Sequence, residues 1–224
     1  MSSPSRIVLA AFAVAAALVV ACENPFAPKP EKGGGTEKPP APPATTTEQL
    51  MDNLQRAMQD RDEKLYESLI DADFWFTETD CEGNLVFANG REEELRLMGG
   101  SRDESEPGIF DQYNETFDFR FTLITRSTEL GPEYPDAYPG DPDGHPDEDW
   151  EVYYGRVEML LVDEHGDGYR VDQKMTYKLR RGTDGLWRIV RWIDDPLAGV
   201  CGSAEKPVAP GVSWAALKTA VPGR

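Results

Sequence analysis

The stretch Tyr169–Pro196, YRVDQKMTYKLRRGTDGLWRIVRWIDDP, decides the fold. In its first half Val171, Gln173, Met175, Tyr177 and Leu179 fall on one side. Arg170, Asp172, Lys174, Thr176, Lys178 and Arg180 fall on the other. This period of two predicts a half-buried strand. Gly182-Thr183-Asp184-Gly185 is turn chemistry. Leu186 to Ile193 then reads as a second strand. Trp187, Ile189, Arg191 and Ile193 share one face, and Leu186, Val190 and Trp192 the other. A strand apolar on both faces is covered on both. Its far face is therefore expected to meet the tail, a neighbour or a second copy of the chain.

Upstream, Trp150 to Val162 and Thr116 to Thr128 read as two further long strands, with Asp163 to Gly168 as a tight turn. The five prolines of Gly131 to Asp149 make that segment a loop. Earlier still the period changes to helical. Thr45 and Glu48 have capping-box spacing, followed by Leu50, Met51, Leu54, Ala57 and Met58. Leu65, Tyr66, Leu69 and Ile70 mark a second helix, ended by Asp71-Ala72-Asp73. Phe74 to Thr77 and Leu85 to Phe87 form a hairpin across Asp80 to Asn84. Asn89 is expected to cap a third helix that Gly99-Gly100 stops. Helices massed before strands predict an α+β domain with an antiparallel sheet covered on one face.

The chain has 224 residues, 39% hydrophobic and 10% aromatic, enough for one real core plus extensions. Its net charge of -18 excludes nucleic acid as a partner, since phosphate contacts need clustered Lys and Arg. The same charge opposes lying flat on an anionic membrane.

The first residues read as an address. Arg6 precedes an apolar run, Ile7 to Ala21, of signal-peptide rather than membrane-spanning length. The run ends Val19-Val20-Ala21-Cys22, which resembles the bacterial lipobox. The resemblance implies removal of residues 1–21 and lipidation of Cys22. It places the protein in the bacterial cell envelope, on the outer membrane in preference to the inner, with the domain in the periplasm or at the cell surface. Residues 22–44, rich in Pro and with Gly33-Gly34-Gly35, read as a tether without a core. The domain is then residues 45–200 and a tail covers 201–224. In that tail Trp214, Leu217 and Ala220 or Val221 lie on one face of a short helix, expected on the outer sheet face near Trp192. With Cys22 used, Cys81 and Cys201 remain. An oxidising compartment suggests a disulfide between them; the alternative is two separate buried thiols.

The order helix–helix–DFWF strand–helix–four strands, closing on LWRIVRWIDDP, resembles the nuclear transport factor 2-like superfamily. The resemblance implies a curved sheet wrapped around the N-terminal helices, leaving a conical cavity. Enzymes of the superfamily point Asp, Tyr or His into that cone; many members are binding or dimerising modules. No catalytic pattern carries over here.

Alternation places Gln173, Tyr177, Trp187 and Arg191 toward the helices as candidate pocket lining. A buried Arg needs an anion, from the protein or from a ligand. His145 and His165 lie in acidic loops separated by a strand, roughly 40 Å at about 3.3 Å per residue, and cannot share a metal. Asp141, Asp143, Asp147 and Asp149 lack the EF-hand spacing and read as a solvated loop. Neither a metal nor a cofactor is expected. Asp194 and Asp195 point to opposite faces and form no acid–base pair. Two functions follow: a lipid-anchored, non-catalytic binding or dimerisation domain, or a small-molecule isomerase, cyclase or dehydratase using the cone. The candidate partners are the membrane through the anchor, a second copy through the outer sheet face, and a small hydrophobic or anionic ligand.

Overall fold

A computed structural model describes residues 38–101, 105–196 and 212–220. Helix α1 (Thr47–Asp60) begins one residue later than capping-box spacing predicts. Thr46, not Thr45, is the N-cap, and its Oγ1 accepts from the Gln49 amide at 3.1 Å. The fold itself starts earlier than residue 45. Asn53 Nδ2 donates to the Pro42 carbonyl at 2.7 Å, and the Trp187 amide to the Ala44 carbonyl at 2.8 Å. Leu50, Leu54, Ala57 and Met58 are fully buried along one stripe of α1, as the helical period requires.

Helix α2 (Glu63–Leu69), capped by Asp62, runs straight into β1 (Ile70–Thr79). Asp71 to Asp73 therefore belong to the strand and do not merely end the helix. β2 (Leu85–Gly90) closes the hairpin. Asn89 does not cap α3 (Arg91–Gly99). It stays in the β2 ladder opposite Phe76, and Gly90 is the N-cap. A one-turn helix, α4 (Ile109–Gln112), follows and buries Ile109 and Phe110. Strands β3 (Thr116–Glu129), β4 (Trp150–Val162), β5 (Gly168–Arg181) and β6 (Trp187–Asp194) form the meander. The tail helix α5 is Trp214–Ala220.

Among the described residues six strands lie in the order β2-β1-β6-β5-β4-β3. The expectation of an antiparallel sheet is corrected at one seam: β1 runs parallel to β6. The chain enters the sheet beside its own last strand, so the long crossover between β1 and β6 makes a parallel pair. The open, mixed sheet with helices packed against it is the α+β plan expected from the sequence.

One residue governs what the sheet presents to the interior. Lys178 pairs with Arg191 but Leu179 pairs with Ile189, so Val190 is an extra residue in β6. A bulge adds one residue and a one-residue shift inverts every later side chain. Trp192 and Asp194 consequently turn inward, and Arg191 and Ile193 turn outward. Strict alternation gives the opposite.

The outer face is therefore not the apolar surface expected. Arg156 and Asp172 form a two-bond ion pair across β4 and β5, at 2.7 and 2.6 Å. The 131–149 segment covers the other end. His145 stacks between Tyr134 and Trp150, with ring centres at 4.9 and 3.9 Å. His165 sits in the exposed turn at the far end of β4.

Candidate functional site

Strand register assembles the site. Asn89, Phe76, Trp192 and Tyr177 are successive cross-strand partners on β2, β1, β6 and β5. The adjacent row contains Phe87, Glu78, Asp194 and Met175. Residues two apart on a strand share a face, so both rows line one patch of the interior. The aromatic row is packed: the Tyr177 and Trp192 rings lie 4.7 Å apart, and Phe76 and Trp192 6.1 Å.

Two helices place charges over this patch. Glu94, on the first turn of α3, is completely buried. It accepts from Tyr66 Oη at 2.7 Å and from Asn89 Nδ2 at 2.8 Å. Lys218 of α5, also completely buried, donates to Glu94 Oε2 at 2.6 Å. The Lys218 ammonium lies 3.6 Å from the centre of the Phe76 ring, 5.2 Å from Trp192 and 5.3 Å from Trp214. The tail helix thus packs near Trp192, as expected, but on the inner face rather than the outer one. The bulge at Val190 is the reason, because it carries Trp192 to the inside.

Two backbone amides seat α5 on β5. The Trp214 amide donates to Gln173 Oε1 at 3.1 Å, and the Val212 amide to the Arg170 carbonyl at 3.2 Å. Ser213 Oγ accepts from the Ala216 amide at 3.0 Å, capping the helix. The Trp192 and Trp214 rings stack at 6.3 Å.

The four residues proposed as pocket lining do not form one site. Gln173 and Tyr177 face the interior, as alternation requires. Gln173 is engaged by the backbone, with Nε2 donating to the Asp195 carbonyl and Oε1 receiving Trp214. Tyr177 is fully buried, and its hydroxyl points to Met175 Sδ at 3.6 Å. Trp187 is only partly buried and lies beside Ala44. Arg191 is on the opposite face of the sheet. Its Nη1 donates to the Asp73 and Val190 carbonyls, both at 2.7 Å, and its guanidinium lies 5.2 Å from the Trp150 ring. Burial holds its pKa below the usual value, although Asp143 lies 3.6 Å from Nε. It lines an outer hollow of about 840 Å³ together with Trp75, Asp141 and Arg180. The anion expected for Arg191 is thus met by backbone carbonyls and a loop carboxylate of the same chain. Asp141, one of the loop carboxylates considered for calcium, accepts from the amides of Ala137 and Asp143 instead. Cys81 lies in the exposed β1–β2 turn; Cys22 and Cys201 fall outside the described residues.

The sequence did not mark Glu94, Lys218 or Tyr66 as site residues, and Asp194 was weighed only as half of a non-cooperating pair with Asp195. A signal existed for two of them. Glu94 shares a helical face with Leu97 and Met98, and Lys218 shares one with Trp214. Asp194 carried no such signal, because its inward direction depends on the bulge.

Asp194 is the electrostatically perturbed group of the site. Burial pushes its pKa well above the carboxylate range, opposed by the Lys218 ammonium; Glu78 raises it further. Burial likewise raises the Tyr66 and Tyr177 hydroxyls, with Glu94 adding to the effect at Tyr66. A carboxyl with a raised folded pKa binds its proton more tightly in the folded state. Its contribution to stability is complete below the unfolded pKa of about 3.9. That contribution is lost as pH rises through the folded pKa. Asp194→Asn should remove this loss, so the variant gains on the wild type as pH rises from about 4. Urea denaturation at a series of pH values checks it; a difference that does not change with pH contradicts it.

No protein-family model and no curated protein matches the chain. Among solved structures it is similar to a conserved protein from Planctomyces limnophilus, at 13% identity over 66% of this chain and 91% of that one, TM-score 0.47. It is similar also to a nuclear transport factor 2-like superfamily protein from Salmonella enterica, at 10% identity over 70% and 92%, TM-score 0.44. A third, a nuclear transport factor 2-like protein from Rhodospirillum rubrum, shares 16% identity over 66% and 95%, TM-score 0.40. These are likenesses of fold, and nothing about activity follows from them.

Proposed function

We propose that this chain is a lipid-anchored protein of the bacterial cell envelope whose α+β domain is a non-catalytic binding module. The observation that carries the non-catalytic part is the filled interior. Trp214, Leu217 and Lys218 of the chain's own tail helix are buried where the superfamily resemblance puts a substrate. While α5 is docked, the Glu94–Lys218 ion pair closes the polar end of that space.

The anchoring part rests on the sequence Val19-Val20-Ala21-Cys22 and on the Pro/Gly-rich tether after it. A lipidated Cys22 with two or more acyl chains holds a protein on a bilayer stably, whereas one chain does so only marginally. No helix among the described residues is long and apolar enough to cross a membrane. The reading includes a Cys81–Cys201 disulfide tying the β1–β2 turn to the tail. Detergent phase separation tests the anchor. The wild type is expected in the detergent phase and Cys22→Ser in the aqueous phase; equal partition of the two removes the anchor.

One observation favours a second reading, a small-molecule isomerase, cyclase or dehydratase. Asp194 is a buried carboxyl with a raised pKa beside Trp192 and Met175, as a general acid or base is. That reading requires α5 to leave before substrate enters.

A further inference from the structure

Lys218 brings a primary ammonium into the protein interior, and its surroundings are those of a bound ligand. The carboxylate it meets is oriented by the body of the domain and not by the tail. Tyr66 on α2 and Asn89 on β2 both donate to Glu94, at 2.7 and 2.8 Å. Phe76 on β1 and Trp192 on β6 present rings at 3.6 and 5.2 Å from the ammonium. A desolvated cation over an aromatic face is held by the ring quadrupole, and a carboxylate supplies the counter-charge. Of the three rings around the ammonium among the described residues, Trp214 alone comes from α5 itself.

The patch also has unmatched polar oxygens. Asn89 Oδ1 and Asp194 Oδ2 are buried without a hydrogen-bond partner among the described residues. An ammonium has three donors, and buried acceptors without donors are costly. The carboxylate, the two rings and the unmatched oxygens belong to α3 and the sheet, so they persist when the seven-residue α5 is absent from the site.

We propose that the interior of this domain is a binding site for a small primary alkylammonium ligand, and that Lys218 occupies it as an intramolecular stand-in. The ligand exchanges with Lys218 on Glu94, Phe76 and Trp192, and α5 is displaced as it binds. This rests on the binding-module reading and names its ligand class. A cationic ligand replaces the hydrophobic or anionic one expected from the sequence, because the interior-facing residue is Asp194 and not Arg191.

The test uses the full chain and n-butylammonium chloride as the probe. Lys218→Ala empties the seat and should lower Tm. At about a hundredfold excess over Kd, the amine should then raise Tm by about 5–10 °C. n-Butanol should not restore it, and neither should the amine in the Glu94→Gln/Lys218→Ala double variant. No rescue, or equal rescue by n-butanol, overturns the proposal. A second measurement on the wild type covers a variant that does not fold. In ¹⁵N-lysine-labelled protein the buried Lys218 ammonium should give a slowly exchanging signal. That signal should disappear on titration with n-butylammonium but not with sodium chloride at equal ionic strength. A signal untouched by the amine overturns the proposal. Either failure leaves the detergent partition of the anchored protein unchanged, so the ligand class and the envelope reading are separately testable.

Discussion

Replacing Lys218 by methionine is expected to cost about 3–5 kcal/mol of stability, because removing one partner of a buried ion pair strands the other charge. Methionine keeps much of the length and volume of the side chain, so the loss reports the ammonium and not a cavity. Glu94 would be left with the Tyr66 and Asn89 donors and no counter-charge. Adding Glu94→Gln to Lys218→Met should recover more than half of the loss. An amide keeps an acceptor for Tyr66, and a neutral pair of similar shape is tolerated where a lone charge is not. Denaturant unfolding of the wild type, both single variants and the double variant closes the cycle. Additive losses, with no recovery in the double variant, would show that the two groups do not interact.

Trp192→Ala is expected to cost about 3–5 kcal/mol, the range for truncating a buried large aromatic. The ring is fully buried among Phe76, Tyr177 and Trp214. Its Nε1–H donates to Asp194 Oδ1 at 2.9 Å, so truncation also strips a donor from a buried carboxyl. Trp187→Ala is the matched comparison. Trp187 is only partly buried at the strand start and should cost clearly less. Equal losses from the two would mean that β6 alternates without its bulge, with Arg191 facing inward and Trp192 outward. Chemical denaturation of the two variants side by side decides it.

Much of the fold is legible in the residues themselves. The alternation of Val171, Gln173, Met175, Tyr177 and Leu179 predicts β5 with its inner face correct at each of these positions. Leu50, Leu54, Ala57 and Met58 predict α1 and its buried stripe. Composition-level turn signals at Asp80 to Asn84 and Gly182 to Gly185 fall where the strands reverse. The failures share one cause: pairing partners, which a single strand does not reveal. The parallel β1–β6 seam depends on where β1 docks. The bulge at Val190 depends on how β6 registers against β5. From the sequence alone WRIVRWID gives no hint that Val190 is the extra residue, and one residue exchanges Arg191 and Ile193 for Trp192 and Asp194. The site follows from that exchange. Gln173 and Tyr177 were legible because β5 is regular there. Arg191 was placed inside and lies outside, and Asp194 was set aside as half of a non-cooperating pair and lies at the centre. The tail helix was legible as a helix, but its side of the sheet was set by Trp192.

The central claim is that α5 fills the interior of the domain. Amide hydrogen exchange of Leu217 and its neighbours in α5 measures it most directly. The Leu217 amide is bonded to the Ser213 carbonyl within a helix seated on Gln173. A seven-residue helix is not stable alone in water, so any protection must come from docking. Exchange slowed by at least about a hundredfold relative to the free peptide corresponds to a docking free energy of about 2.8 kcal/mol, by the tenfold-per-1.4 kcal/mol relation. Slowing of that size, lost in Lys218→Met, is the result the filled interior predicts. Exchange at the rate of an unstructured peptide in the wild type would contradict it and leave the interior open.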